Sequence, residues 1–371
     1  MRSGRNFLHR FRNYLLPADY LGYLRAVRKL RDRGLPANLE RSALFDFTKP
    51  IIDKDLGRYA FNLVREFLDA GYSAYLAPNF WYLSSVHRKV FKRLLLEQPV
   101  YLLPSGSNRA VRPTLLLTDR ESSPYRGRCA HEILLDYSSR LHVDKGLNLI
   151  PYRQAPSFDS GPDMPEWPDL EDGGRPIPVS FFGHWKHPDY DNTAKLTEFD
   201  AHGRRDLIEA LLAGLDPGRI CIAGRASSLE QDGAGKFVLG KDDELPTLPG
   251  YARALRRSNF FVCCPGTGFL LCHNMIESML MGCIPIVQRP ELTGLPLVAG
   301  ENCLSFESPG GLVETVKECL ADGATRAPRM RARLREVVHE HLEPGSFART
   351  LDIEHGRLPT SLALFWFERA H

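Results

Sequence analysis

The sequence predicts an α/β protein whose parallel strands are divided between two domains. Short apolar runs alternate along the chain with segments of helical periodicity, which is the pattern that a doubly wound parallel sheet produces. A length of 371 residues exceeds what one such domain usually needs, so two domains of ordinary size are expected. The clearest unit of the pattern is a strand, a glycine-rich turn, a helix and a second strand over residues 258–287.

The chain begins with a basic arm, residues 1–40. Between residues 2 and 33, nine Arg and Lys residues accompany only two acids, Asp19 and Asp32, and Phe, Tyr and Leu residues lie among them. Such a segment favours an anionic membrane surface as a partner. A solvated helical arm, or one packed on the body of the protein, explains the same composition.

The first residues contain neither the apolar core nor the small-residue cleavage site of a signal peptide. No apolar run approaches the length of a membrane-spanning helix. We therefore expect a cytoplasmic protein, placed peripherally on the inner membrane face if the basic arm binds lipid.

Residues 41–151 predict the first Rossmann-like domain. An apolar strand at 43–47 is followed by a helical pattern over 57–70, and Gly71 is a good C-terminal stop for that helix. A strand at 72–76 comes next, and the alternation continues through the apolar runs 91–96, 100–103 and 114–118. Residues 152–176 are rich in Pro, Gly and Asp without apolar periodicity, so they predict a linker.

Residues 177–345 predict the second Rossmann-like domain, and residues 346–371 form a C-terminal tail that is free to pack back on the first domain. A strand at 177–183 ends in glycine, an amphipathic helix covers 204–212, and another strand covers 219–224. Further along, a short strand at 301–306 precedes a helix at 311–320.

Between these segments, the stretch 258–287 predicts an anion site. A buried strand at 260–264 is broken by Pro265, Gly266, Thr267 and Gly268, where the backbone is free to approach a ligand. The following helix directs its N–H groups and positive dipole end at this turn, which suits a phosphate or diphosphate. Gly282 ends the helix and 284–287 is the next strand, so the site is expected at the carboxyl edge of a parallel sheet.

Three polar residues of this helix, His273, Asn274 and Glu277, fall on one arc because residues three and four apart are helical neighbours. A carboxylate about two turns inside the helix suits two adjacent ribose hydroxyls. A solvent-facing arc, or a hydrogen bond between His273 and Glu277, is the alternative interpretation.

The stretch resembles the donor-binding half of GT-B glycosyltransferases, and most closely the exostosin-like group, over about residues 176–320. The matching residues are Glu277, Gly282, Cys283, Ile284, Pro285 and Ile286. The resemblance implies the GT-B fold, with two Rossmann-like domains facing a cleft. It also implies that the second domain binds a nucleotide sugar, that Glu277 holds its ribose, and that the acceptor lies on the first domain.

Two positions depart from the family pattern. Many retaining members carry a second glutamate eight positions before the first, where this chain has Phe269, so the resemblance favours an inverting enzyme. Exostosin-like proteins often carry arginine at the position of Asn274, so the phosphate contact must come from elsewhere. The cations that could supply it are Arg204, Arg205, Lys186 and Arg225.

An arginine at the start of the helix at 204 faces the donor diphosphate in the exostosin-like group, and a guanidinium fork suits that role. Arg204 and Arg205 are alternatively ordinary surface charges, and we expect one of the two in the site. The predicted donor-binding residues are Gly183, Arg204, Arg205, Gly266, Thr267, Gly268, His273, Asn274 and Glu277.

An inverting transfer needs a base that takes the proton of the acceptor hydroxyl. Asp119, directly after an apolar run, and Asp55, in an acidic turn, are the candidate bases, although helix capping or a solvated turn also explains each of them. The D-x-D spacings at Asp53/Asp55 and Asp189/Asp191 are interpreted as chance, so no metal and no other cofactor is expected.

Composition limits the other functions. A net charge of +3 is too small for a dedicated nucleic-acid binder. The eight cysteines form no C-x-x-C pair and most lie in apolar segments, which predicts reduced core residues instead of disulfides or a zinc site. His184 and His187 flank Trp185 in a loop after a strand, where a substrate contact and a plain surface loop are both open interpretations.

The resemblance, together with the predicted anion site, implies an enzyme that moves a sugar from a nucleotide sugar to a saccharide or lipid-linked saccharide, in the synthesis of a cell-surface polysaccharide or lipopolysaccharide. Two alternatives stay open at this point. One is a sugar-nucleotide epimerase of the same architecture, and the other is a catalytically silent scaffold that binds a nucleotide sugar.

Overall fold

The computed structural model describes residues 17–34, 36, 41–49, 52, 57–103, 112–136, 174–191, 196–224, 232–241, 244, 248–266, 270–351 and 361–363. The chain divides into two compact units, one from residues 1–150 together with 344–371 and the other from residues 151–343. Each unit contains a six-stranded sheet in which every pair of neighbouring strands is parallel. The predicted α/β class with two Rossmann-like units is therefore confirmed.

The sheet of the first unit has the strand order of dinucleotide-binding folds. Its strands are β1 (Ser42–Asp46), β2 (Ser73–Leu76), β3 (Val100–Leu102), β4 (Leu115–Thr118), β5 (His131–Asp136) and β12 (Ser361–Ala363). Numbered in chain order within the unit, they lie 6-5-4-1-2-3 across the sheet. The sixth strand comes from the end of the chain and pairs with β5, so the polypeptide returns to the first unit.

The helices of the first unit cover a sheet whose central strands are buried on both faces. Every residue of β1 and β4 is buried, as expected for parallel strands between two helical layers. The helices are α1 (Pro17–Arg31), α2 (Arg58–Asp69), α3 (Phe80–Leu83), α4 (Val90–Glu97) and α9 (Ser346–Thr350), with a 3-10 turn at Ser84–Arg88.

The described part of the basic arm is packed on the first unit. Helix α1 buries Ala26, Val27 and Leu30, and the carboxylate of Asp19 is fully buried against Arg88, with oxygen–nitrogen distances of 2.8 and 2.9 Å. Arg33 donates to the backbone carbonyl of Val100 at 2.9 Å and also to those of Leu96 and Gln98. Residues 17–34 therefore follow the packed interpretation, while residues 1–16 lie outside the described part of the chain.

The sheet of the second unit differs from the first by one exchange of strands. Its strands are β6 (Ile177–Phe181), β7 (Ile220–Ala223), β8 (Phe237–Gly240), β9 (Ser258–Val262), β10 (Ile284–Val287) and β11 (Leu304–Ser305). Across the sheet they lie 6-5-4-1-3-2 in the unit's own numbering, so the second and third strands have exchanged places. The helices are α5 (Arg204–Gly214), α6 (Leu248–Arg256), α7 (His273–Leu280) and α8 (Pro309–His341). The 3-10 turns are Pro188–Asp191, Thr197–Phe199, Pro217–Arg219 and Pro290–Leu292.

The predicted helix at 311–320 is much longer in the structure, where α8 continues through Gly323 and Pro328 for 33 residues. Both residues usually interrupt helices, but tertiary packing holds this one together. A Cβ at Gly323 would lie only 3.0 Å from the ring of Phe260, so glycine allows the helix to approach β9, and Leu334 beyond the proline is fully buried. None of the helices that the structure describes is both long and apolar enough to cross a bilayer.

Candidate functional site

The second unit has a topological switch point between its first strand, β6, and its fourth, β9, which are hydrogen-bonded neighbours. Parallel α/β sheets bind ligands outside the carboxyl ends of the strands at such a point. Gly183 follows the end of β6, and Pro265 and Gly266 follow the end of β9. The predicted turn therefore begins at the expected edge, while Thr267 and Gly268 lie outside the described residues.

Three of the predicted donor residues meet at this edge. A Cβ built at Gly183 would lie 3.5 Å from Nη1 of Arg204 and 3.5 Å from Nδ2 of Asn274. The loop after β6, the first residue of α5 and the first turn of α7 thus converge on one glycine. Because glycine carries no side chain, these segments can approach one another closely here, and a Cβ would also lie only 3.3 Å from the ring of Phe181.

Arg204 is held rigidly at this edge. Its side chain is only 4% exposed, its Nε donates to the carbonyl of Pro265 at 3.2 Å, and its Nη1 donates to the carbonyl of His184 at 2.8 Å. The guanidinium carbon also lies 4.3 Å from the ring centroid of Tyr190. Its Nη2 makes no hydrogen bond to any residue that the structure describes, so this guanidinium keeps a donor for an anion.

Arg205 is placed differently. Its Nη2 donates to the backbone carbonyl of Lys186 at 2.6 Å, on the exposed side of the same loop. Of the two neighbouring arginines, the structure brings Arg204 to the edge with Gly183 and Asn274 and leaves Arg205 at the surface. Lys186, His184 and His187 are also exposed, and Arg225 lies outside the described residues.

Helix α7 starts later than the sequence predicted. Its first residue is His273, and its N-cap, Cys272, has extended backbone angles and no side-chain cap. Leu270 and Leu271 are buried before the helix, so their apolar character reflects packing of the turn and not the helical period. Glu277 consequently lies about one turn inside the helix instead of two.

The three residues of the predicted polar arc differ in their exposure to solvent. His273 is exposed, whereas Asn274 and Glu277 are 3% and 4% exposed. The hydroxyl of Tyr251 on α6 donates to Oε2 of Glu277 at 3.1 Å. Burial and the Glu277 charge raise the pKa of Tyr251 well above its usual range, so the phenol stays protonated and remains a donor. The ring of Phe182, which follows β6, packs edge-on against Tyr251 with centroids 5.9 Å apart.

The carboxyl end of α7 is fixed by two guanidinium groups. Arg175 donates to the carbonyl of Met281 at 2.9 Å, and Arg331 on α8 donates to the carbonyl of Gly282 at 2.8 Å. Gly282 has φ +74°, and a Cβ there would lie 2.8 Å from Arg175. The positive φ favours glycine at this position, and a larger residue would also displace the end of the Arg175 side chain. Cations at the negative end of a helix dipole are favourable.

A carboxamide at the end of β10 positions the start of α5. Gln288 is 3% exposed, accepts from the backbone N–H of His202 at 2.8 Å and donates to the carbonyl of the same residue at 3.1 Å. These two hydrogen bonds to His202 fix the segment that leads through Gly203 into Arg204. Sequence reasoning missed Gln288 and Tyr251, and the signal for Gln288 was its place directly after a buried strand.

The thiols around the turn are buried and inert. Burial raises the pKa of Cys264 to about 12, and the nearby Arg204 charge opposes this only in part. Burial also raises the pKa of Cys272, whose thiol donates to the carbonyl of Cys264 at 3.1 Å. All eight cysteines are free, in agreement with the prediction of reduced core residues.

In the first unit, the predicted base Asp119 is used within the fold. Its carboxylate is fully buried and accepts from the backbone N–H and hydroxyl of Thr48 at 2.9 and 2.6 Å and from the backbone N–H of Lys49 at 2.8 Å. A carboxylate with its lone pairs occupied in this way orders the loop after β1, so the geometry favours the capping interpretation over a base. Asp55, the other candidate, lies outside the described residues.

The structure gives no metal site within the residues that it describes: no group of three or more His, Cys, Asp and Glu side chains there could hold an ion. Asp53 lies outside those residues, as do the side chains of Asp189 and Asp191.

No protein-family model matches this chain, and no curated protein matches it in sequence. Among solved structures, a glycosyltransferase from Rickettsia africae is 9% identical, with a TM-score of 0.45 over 84% of this chain and 97% of that one. Anabaena HepE, solved with UDP, is 14% identical, with a TM-score of 0.40 over 80% and 95%. A Listeria monocytogenes protein assigned as a UDP-N-acetylglucosamine 2-epimerase is 9% identical, with a TM-score of 0.38 over 88% and 100%. At these identities and TM-scores the solved structures do not indicate a function for this chain. The assignment of function rests on the chain's own residues.

Proposed function

We propose that this protein is a glycosyltransferase that binds a nucleotide sugar at the carboxyl edge of its second sheet and transfers the sugar to a saccharide or lipid-linked saccharide. The observation that carries the proposal is the convergence of Gly183, Arg204 and Asn274 at the switch point, with Glu277 farther along the same helix. The resemblance of residues 258–287 to the exostosin-like pattern supports the same assignment.

The spacing along α7 fits a nucleoside diphosphate. His273, at the start of the helix, and Glu277 are four positions apart, which corresponds to about 6 Å along the axis at 1.5 Å per residue. A diphosphate at the helix N-terminus places the ribose of the same nucleotide beside Glu277. The protonated Tyr251 hydroxyl donates to Oε2 and fixes the orientation of the carboxylate that we assign to the ribose hydroxyls.

The same arrangement supplies the electrostatic part of catalysis. Negative charge accumulates on the leaving diphosphate as the bond to the sugar breaks. The positive end of the α7 dipole and the buried Arg204 guanidinium already face that position, so they stabilise the departing group without reorganising. Arg204 is buried, which strengthens its interaction with an anion relative to the same interaction in water. No metal is needed in this scheme.

We further propose that the transfer inverts the anomeric configuration, because Phe269 stands where retaining members carry glutamate. Asp55 is the base that we carry forward, since Asp119 is committed to Thr48 and Lys49. The proposed setting is synthesis of a cell-surface polysaccharide or lipopolysaccharide, in which a lipid-linked acceptor would place the enzyme at a membrane.

The deciding experiment is a thermal-shift panel of nucleoside diphosphates and nucleotide sugars, followed by incubation of the best donor with and without saccharide acceptors. Stabilisation by one nucleotide, together with its release from the nucleotide sugar, is the expected result. Binding without turnover for every acceptor would identify a scaffold, and conversion of the donor to its epimer would identify an epimerase. No stabilisation by any nucleotide would overturn the site itself.

A further inference from the structure

The outward side of α1 exposes large apolar side chains on the first unit. Tyr20, Leu21 and Leu24 are 56%, 49% and 44% exposed, and they are three of the five large hydrophobic residues exposed in the described part of the chain. Leu24 is a helical neighbour of both Tyr20 and Leu21, because residues three and four positions apart lie next to each other on a helix surface. A contiguous exposed apolar group of this kind marks an interaction surface.

Cations surround this apolar group. Arg25, Arg28 and Arg31 are exposed farther along the same helix, and the fold brings Arg93 of α4 beside it. Neither Arg25 nor Arg93 forms an ion pair with any residue in the described ranges. We call Tyr20, Leu21, Leu24, Arg25, Arg28, Arg31 and Arg93 together the α1 face.

The acids near the α1 face are already engaged. Asp19 is fully buried against Arg88, Glu97 is paired with Lys29, and Asp32 lies 3.7 Å from Arg28. The hydrogen bond from Lys29 holds the pKa of Glu97 below its usual value, so this acid remains ionised and paired. The outward charge of the face is therefore positive.

A groove beside this face combines apolar and charged walls. It measures about 380 Å³ and lies between α1, the 3-10 turn at Ser84–Arg88 and α4. Its apolar walls are formed by Ala18, Leu21, Gly22, Ala26, Val86 and Leu96. The rest of the lining is Arg25, Arg93 and the paired Lys29 and Glu97, so the charges without an ion-pair partner in the described residues are cationic and lie next to apolar surface.

We propose that the α1 face docks on an anionic phospholipid bilayer. Tyr20, Leu21 and Leu24 enter the interface between headgroups and acyl chains, while the arginines bind headgroup phosphates and the groove takes the upper part of an acyl chain. A second copy of the chain fits poorly, because a two-fold contact would place the same arginines against each other.

This surface depends on folding and differs from a flexible basic arm. Arg93 lies 68 residues beyond Arg25 in sequence and reaches the face only because α4 packs beside α1. The inward side of α1 buries Leu30, so deleting the arm would expose the core and would not be a clean test. Substitutions on the outward side leave that packing in place.

The test is co-sedimentation of the full chain with vesicles of phosphatidylcholine alone or mixed with phosphatidylglycerol, without nucleotide, so that its outcome is independent of the donor assignment. We expect binding to the anionic vesicles at low salt. The triple variant Tyr20→Ser/Leu21→Ser/Leu24→Ser should lower the partition coefficient at least tenfold. The double reversal Arg25→Glu/Arg93→Glu should also lower it at least tenfold at low salt, and by less as salt screens the charges.

Two control variants make the same kinds of substitution at exposed positions away from the α1 face. Ile222→Ser/Val298→Ser removes exposed apolar side chains from the second unit, and Arg329→Glu/Arg333→Glu reverses exposed charges on α8. Both should bind as the unaltered protein does, and circular dichroism should show every variant folded. Failure of the unaltered protein to bind anionic vesicles at low salt would overturn the proposal. So would full binding by the α1-face variants, or a dimer in sedimentation equilibrium that the apolar variant abolishes.

Discussion

Replacing Arg204 with methionine removes a buried charge from the carboxyl edge of the second sheet while keeping a side chain of similar length. A guanidinium hydrogen bond to a charged phosphate contributes about 1.5–3 kcal/mol, so affinity for the nucleoside diphosphate should fall by about 10- to 150-fold. The same substitution should change affinity for the corresponding nucleoside, which carries no phosphate, by less than about threefold.

The substitution also has a structural cost, which the assay must separate from the binding effect. The carbonyls of Pro265 and His184 each lose a donor. We expect unfolding to become easier by about 2 kcal/mol, equivalent to a fall in Tm of about 4–8 °C for a unit of this size. Calorimetric titrations well below the lower Tm therefore report binding to a folded protein.

Arg205→Met is the matched control, since it removes the same group one residue away. Arg205 donates to the exposed backbone carbonyl of Lys186, whereas Arg204 lies beside Gly183, so the loss of Arg205 should change diphosphate affinity by less than about threefold. Equal effects of the two substitutions on diphosphate binding would refute the placement of the phosphates. Equal losses of nucleoside and diphosphate affinity in the Arg204 variant would show a merely structural role.

Four further expectations follow from the same geometry. Glu277→Ala should weaken nucleotide binding by about 1–3 kcal/mol and remove any preference for the ribonucleotide over its 2′-deoxy form; retained preference in titrations would contradict the ribose contact. Asp119→Asn should lower the unfolding free energy by about 2–3 kcal/mol with little change in kcat. Asp55→Asn should instead lower kcat at least about a hundredfold without loss of stability. The reverse result would restore Asp119 as the base. Transfer should continue in EDTA; full loss that manganese or magnesium restores would show that a D-x-D pair was wrongly dismissed. Burial raises the pKa of Cys264 and Cys303 to about 12, above the value near 9 of an unfolded thiol. Their contribution to the free energy of unfolding is therefore complete below pH 9 and is lost as the pH rises toward 12. In urea unfolding under reducing conditions, the unfolding free energy should fall by about 1.4 kcal/mol per pH unit for each such thiol above pH 9, and equal stability at pH 8 and pH 10 would contradict this.

The sequence was sufficient for the fold class because the apolar runs are short, evenly spaced and separated by helical periods. It did not predict β5, β8 or α6. In β5 three apolar residues stand between polar ends, and β8 is an apolar run of only four residues. Pro249 and Gly250 lie in the first turn of α6, where they suggest a turn instead of a helix. It also placed the start of α7 too early, since Leu270 and Leu271 are apolar for packing in the turn. Local patterns cannot distinguish an apolar residue that continues a helix from one that fills the space before it.

The site was predictable only where a single segment determines it. Gly183, Arg204 and Asn274 could each be identified from local motifs, yet their convergence depends on which strands are neighbours in the sheet. Tyr251 and Gln288 lie outside those motifs and act through contacts with distant segments. Such residues can be found only when the three-dimensional arrangement is known.

The charges around α7 explain why this edge should remain ready for an anion. At the carboxyl end of the helix, Arg175 and Arg331 bond the last carbonyls, where a cation is favourable. At the amino end, Arg204 is buried near the positive end of the same dipole, where a cation is unfavourable. The hydrogen bonds of Arg204 to two backbone carbonyls hold it there against that repulsion. A diphosphate between the guanidinium and the helix would turn the repulsion into two attractions, so the same arrangement that costs stability in the free protein contributes affinity in the complex.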